Sequence, residues 1–164
     1  MFVKGQIMNI DSIAGYFEND HVRLDRRFKE FQDTKRSDFA RAAADFAEFK
    51  AGLERHIVWE EEVLFPGFED KTGMHNTGPT AVMRMEHRLI KQFLQEIAQK
   101  LARQDTDTDS EESGLRQTLG EHNRKEEQVL YPAIDEMLNP AERASAFARM
   151  GVAPGGLRAG EAAC

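Results

Sequence analysis

The chain has 164 residues, 40% hydrophobic and 31% charged, with a formal net charge of −7 and one cysteine. That length fits one domain with a real core. The lone Cys164 excludes a disulfide framework or a paired-cysteine zinc site, and no apolar run approaches the roughly 18 residues of a membrane span. The acidic balance without a basic block argues against a nucleic-acid partner. The opening MFVKGQIMNID has neither a signal-peptide pattern nor a transit composition, so a cytoplasmic protein is expected.

In chain order, a first helix is predicted from about Asp11 to Gln32. A second follows Ser37, taken as N-cap ahead of Asp38, and runs to about Phe65, where Pro66-Gly67 breaks it. Pro79 opens a third helix that ends near Arg103. The polar stretch Gln104–Ser113 reads as a loop, and a fourth helix runs from about Gly114 to Leu138, kinked or cut short by Pro132. Asn139 caps and Pro140 opens a short fifth helix to about Met150. Residues 1–150 then form the domain, and 151–164 read as a flexible tail.

Apolar residues recur at spacings of three and four in each long helix. The stripes are Ala14, Phe17, His21, Leu24, Phe28; Phe49, Leu53, His56, Glu60, Val63; Met83, His87, Ile90, Leu94; and Leu115, Leu119, His122, Glu126, Val129. Such stripes predict an all-α fold, an antiparallel up-down four-helix bundle with a short C-terminal fifth helix.

Six stripe members have the wrong chemistry for a core: His21, His56, Glu60, His87, His122 and Glu126. A single inward histidine is usually a satisfied core residue, but this set repeats. A shift of 66 residues maps His21 onto His87, His56 onto His122 and Glu60 onto Glu126, and carries Glu61 to Glu127, Phe65 to Tyr131 and Pro66 to Pro132. The chain is therefore two helical hairpins of one design, each offering a lone histidine and a His-x-x-x-Glu whose members share a helix face. Rise per residue puts all four histidines at similar heights in an antiparallel bundle. Buried carboxylates are rare unless paired or metal-bound, so a metal site is the economical reading.

Four imidazoles and two carboxylates exceed a tetrahedral zinc site and carry too much nitrogen for calcium or magnesium. They suit two iron ions, with manganese or zinc as alternatives. The twofold pattern assigns His21 and His56 to one metal, His87 and His122 to the other, and bridging positions to Glu60 and Glu126.

At these residues the sequence resembles the hemerythrin-like (HHE cation-binding) family. ENDHVRLD (18–25), HIVWEEEVLFP (56–66), AVMRMEH (81–87) and EHNRKEEQVLYP (121–132) look like its four ligand-bearing segments, and the resemblance covers about residues 10–138. It implies a four-helix bundle holding a non-heme di-iron centre bridged by oxo or hydroxo. The family's oxygen carriers have a further histidine one turn before that of the third helix. Here that position is Met83, read as packing, so the chain is similar to the symmetric four-His, two-Glu type.

The resulting expectation is a protein that binds or reduces a small molecule (oxygen, nitric oxide or peroxide) in sensing or stress protection, rather than a reversible oxygen carrier. The alternatives are iron or zinc handling without catalysis, and a bundle merely stapled by its metal. Asp20 and Glu86, each preceding a histidine, face about 100° away and are expected on the helix surface. Asp25, one turn after His21, is a candidate to orient that imidazole. His75 is expected in an exposed loop. Trp59, Tyr16 and Tyr131 are expected as core or rim aromatics, and Arg23, Arg26, Arg27 and Lys29 as a solvated face.

Overall fold

The computed structural model describes residues 11–152, and among these there is no β-strand. The helices are α1 (Ile13–Thr34), α2 (Phe39–Trp59), α3 (Phe65–Thr72), α4 (Gly78–Ala102), α5 (Asp109–Lys125), α6 (Tyr131–Met137) and α7 (Pro140–Arg149). A five-residue π turn, π1 (Glu60–Leu64), joins α2 to α3, and another, π2 (Glu126–Leu130), joins α5 to α6. The all-α expectation holds. Helix α1 packs along α2, α4 along α5, and α2·α4 and α1·α6 contacts close the bundle.

Local chemistry explains the starts. Ser12 Oγ accepts the Gly15 N–H at 3.0 Å, and the Asp135 carboxylate of α6 accepts those of Ile13 and Ala14 at 2.8 and 2.9 Å. The orphan donors of α1 are thus satisfied partly from across the bundle. Asp38, not Ser37, caps α2, accepting from Arg41 N at 3.1 Å, while Ser37 Oγ turns back to the Thr34 carbonyl. Asn139 and Glu142 form a reciprocal capping box on α7. Gly73 ends α3 at φ 72°, a left-handed conformation that glycine adopts without a Cβ penalty.

Three expectations need correction. First, the segment 104–113 is not all loop: α5 begins at Asp109, with Asp109, Glu111 and Glu112 in its first turn, where the helix dipole favours negative charge. Lys35, 2% exposed, supplies the tertiary reason. Its ammonium bonds Thr108 Oγ1 at 3.1 Å, Asp109 Oδ1 at 2.5 Å and the Glu112 carboxylate.

Second, Pro66 and Pro132 break nothing. The Phe65 N–H reaches back five residues to the Glu60 carbonyl, and Tyr131 to that of Glu126. Each proline then enters a fresh turn, where its missing donor matters little. The Phe65 N–H is taken by Glu60 and Pro66 has none, so the Glu61 and Glu62 carbonyls lack their α-helical donors. Arg84 donates to the Glu61 carbonyl at 3.3 Å and Arg149 to that of Glu62 at 2.9 Å.

Third, the extra residue in each π turn rotates the helix, so the inward positions after Glu60 and Glu126 are Leu64 and Leu130. Val63 is half-buried and Val129 is 61% exposed, contrary to the stripes above.

Of the expected tail, Gly151 and Val152 are described, and Val152 is buried in the core; the rest, with Cys164, lies outside the described residues. The core divides into two apolar clusters. One contains Phe17, Trp59, Phe65, Met83, Leu130 and Tyr131, the other Leu24, Phe28, Leu53, Ile90, Leu94 and Leu119. On each long helix the sequence between the two clusters is where the histidines and glutamates fall.

Candidate metal centre

All six sequence-selected residues are buried: His21, His56, His87 and His122 at 4% exposure or less, Glu60 and Glu126 at 0%. They form one polar layer between the apolar clusters. His21 and His56 bring their Nε2 atoms within 3.2 Å of each other. Opposite them, the His87 and His122 rings lie 4.8 Å apart.

The two carboxylates join the halves, each turning one oxygen to either side. Glu60 Oε1 lies 3.6 Å from His56 Nε2, and its Oε2 lies 3.2 Å from His87 Nε2. Glu126 Oε2 lies 3.4 Å from His21 Nε2, and its Oε1 lies 2.9 Å from His122 Nε2. Ligand-type atoms of Glu60, His87, His122 and Glu126 all fall within 4.8 Å of one another, as do those of His21, His56 and Glu126.

A carboxylate from another element holds the outer nitrogen of every imidazole. His21 Nδ1 bonds Glu127 at 2.7 Å, His56 Nδ1 Asp20 at 2.9 Å, His87 Nδ1 Glu61 at 2.8 Å and His122 Nδ1 Glu86 at 2.9 Å. These bonds run α1 to α2, π1 to α4, α4 to α5 and π2 to α1, a closed ring around the bundle. They fix Nδ1 as the protonated nitrogen and aim Nε2 inward. The acids are themselves braced: Arg23 Nε donates to Asp20 at 2.8 Å, and Lys125 pairs with Glu86.

Sequence reasoning missed this outer ring. Asp20 and Glu86 do point away from the site on their own helix, but toward the neighbouring helix rather than solvent. Asp25 is exposed, and Glu127 orients His21 instead. The signal available was the repeat itself, which pairs Asp20 with Glu86 and Glu61 with Glu127. His75, as expected, is exposed, 3.8 Å from Asp70 and away from the layer.

The proton inventory without a cation is unusual. Burial pulls the His56 imidazole down, but the Glu60 charge and the Asp20 bond outweigh it and raise it to about 10. His122, against burial, is lifted to about 9 by Glu126 first. Burial pushes Glu60 up, yet His56 and His87 hold it well below the usual carboxylate range. Tyr131 is fully buried; burial and the two glutamates keep its phenol protonated. Its hydroxyl lies 2.6 Å from Glu60 Oε1, 2.9 Å from Glu126 Oε2 and 3.3 Å from both His21 and His56 Nε2.

Despite this density, Glu60 Oε2, His87 Nε2 and Glu126 Oε1 make no aligned hydrogen bond. Buried polar atoms without partners are rare and costly. Three of them converging among carboxylates and neutral-capable imidazoles form a donor set that a divalent cation fits.

The family model for the hemerythrin HHE cation-binding domain matches residues 12–134, most of the chain. The chain belongs to the hemerythrin HHE cation-binding family. Domains of this family bind metal cations, typically iron, and the layer just described is the His/Glu cluster of this hemerythrin-like metal-binding domain. The chain is also 29% identical over 133 residues to a hemerythrin-like protein of Schizosaccharomyces pombe, an alignment spanning 79% of this chain and 64% of that protein. It thus covers less than two thirds of that relative. No solved structure gives a significant match. No helix among the described residues is long and apolar enough to cross a membrane.

Proposed function

We propose that this hemerythrin-like domain is a non-heme di-iron protein that binds or reduces a small diatomic molecule or peroxide in sensing or stress protection. The observation that carries the proposal is the convergence of two fully buried carboxylates on four inward imidazole nitrogens, each carboxylate with one oxygen toward either half, inside a layer whose imidazoles are already locked from outside. His21 and His56 would hold one ion, His87 and His122 the other, and Glu60 and Glu126 would be shared, one oxygen to each half. The pairing of hairpins supports the up-down order of the four long helices expected from the stripes.

Two irons supply one- and two-electron chemistry and open coordination positions when bound. The chain supplies the rest. Its carboxylate ring pre-orients the imidazoles, and the apolar clusters above and below keep bulk water out. Met83, 2% exposed, stands one turn before His87 and adds packing rather than a third imidazole on that side. Beside it lies a recess of about 230 Å³ lined by Pro79, Val82, Met83, Lys125, Val129 and Leu130, mostly apolar. An apolar recess of that size suits a small uncharged molecule.

The test is anaerobic titration of the ferrous protein with nitric oxide and, separately, with peroxide, followed by absorption and electron paramagnetic resonance. Saturable spectral changes at no more than one equivalent per iron are expected. Stable, fully reversible oxygen carriage, or iron uptake well beyond two ions per chain with ready loss to chelators, would contradict the proposal.

A further inference from the structure

The 66-residue repeat gives the two halves of the centre the same ligand types, but a difference stands at its middle: Tyr131 lies where the first hairpin has Phe65. Phe65 has no polar atom to offer; its ring stacks on His87, 5.8 Å apart and 9° from parallel. Tyr131 instead puts a hydroxyl where the donors of the other half converge. It touches both inward nitrogens, on His21 and His56, and the two carboxylate oxygens facing them, Glu60 Oε1 and Glu126 Oε2. In the opposite half no hydroxyl intervenes: Glu60 Oε2 lies 3.2 Å from His87 Nε2 and Glu126 Oε1 2.9 Å from His122 Nε2, with Glu60 Oε2, His87 Nε2 and Glu126 Oε1 in no aligned hydrogen bond. One half holds a neutral hydroxyl among its donor atoms and the other does not.

We propose that Tyr131 makes the two cation positions unequal: the first ion enters between His87 and His122 with Glu60 and Glu126, and the second enters between His21 and His56 only by displacing the Tyr131 hydroxyl from its partners. Tyr131 is thus a positioning residue that sets the order of loading, leaving one ion firmly held and one exchangeable. Four donor atoms already lie together in the first position and three in the second. A hydrogen bond to a charged group contributes roughly as much as a tenfold change in an equilibrium constant, so the two affinities should differ on the order of tenfold or more.

This inference rests on the two-metal reading above. The test is calorimetric titration of the metal-free protein with Zn²⁺, with Co²⁺ absorption as a second readout. Two resolved steps are expected, the tighter one lost in His87→Ala and kept in His21→Ala. In Tyr131→Phe, which removes the hydroxyl that only one half holds, the steps should draw together through a tighter second step. A Tyr131→Phe protein that is merely loosened would weaken both steps, which overturns the proposal. The paired exchange Phe65→Tyr with Tyr131→Phe should reverse the order, so that His21→Ala then removes the tighter step. Two equal sites in the native chain, or an unchanged gap in Tyr131→Phe, also overturn it while leaving the two-metal reading standing. Absence of any Zn²⁺ or Co²⁺ binding would instead sink that earlier reading.

Discussion

Two of the places where the molecule buries charge are built to opposite ends. Near the α1–α2 corner, Lys35 is enclosed by Thr108, Asp109 and Glu112, with Gln32 bonding the far oxygen of Glu112 at 2.9 Å. That cluster is closed: an ammonium, two carboxylates and a hydroxyl satisfy one another and fasten the start of α5. In the His/Glu layer, by contrast, carboxylates and imidazoles face one another in a closed space with three of their atoms in no aligned hydrogen bond. Burial of charge alone therefore does not mark a site. What marks it is a donor set braced from outside and left unfinished inside.

The largest expected effect separates these two roles. Replacing Glu60 and Glu126 together with alanine should abolish cation binding while the metal-free chain still folds, because imidazoles freed of their carboxylate partners can sit in the interior uncharged. Metal analysis and thermal unfolding in chelator check both halves of that statement, and retained stoichiometric metal would refute it. Lys35→Ala should do the reverse. Stranding Glu112 in the interior should destabilise the protein by about 3–5 kcal/mol, measured by urea unfolding, with metal content per folded chain unchanged.

A smaller effect tests the outer ring. Asp20→Asn or Glu86→Gln should weaken cation affinity about 10- to 100-fold, the usual consequence of loosening a histidine's outer partner. Competition with a chromophoric chelator measures it, and an unchanged affinity would reduce these acids to surface charges. The smallest effect is a pH slope. His56 is raised from 6.5 to about 10, and His122 from the same value to about 9. A pKa raised by folding gives stability that is complete below the unfolded value of about 6.5 and is lost as pH climbs through the folded values. The melting temperature of metal-free protein should thus fall from neutral to alkaline pH. Cation-loaded protein, whose ligating imidazoles must be neutral, should lack that fall. A metal-free profile flat or rising across this range would contradict it.

The six layer residues were legible because two independent regularities agree on them: each interrupts an apolar stripe, and each has a counterpart 66 residues away. All-α architecture and the approximate helix limits followed from the same periodicity. What was not legible depended on partners far along the chain. Nothing local announces that Lys35 will meet Glu112, so α5 was expected to start too late. The π turns escaped because Pro66 and Pro132 are ordinary breakers unless something takes up the carbonyls they release, as Arg84 and Arg149 do for the first. Val129 consequently sits on the wrong side of its expected stripe. Tyr131 was placed among core or rim aromatics; only its geometry shows a hydroxyl at the middle of the layer.

The most direct measurement is the metal content of the protein purified from iron-replete cells, with its absorption spectrum before and after reduction. Two irons per chain and a near-ultraviolet charge-transfer envelope that bleaches on reduction are expected. Protein that emerges folded but free of iron, and takes up neither iron, manganese nor zinc when these are supplied, would contradict it.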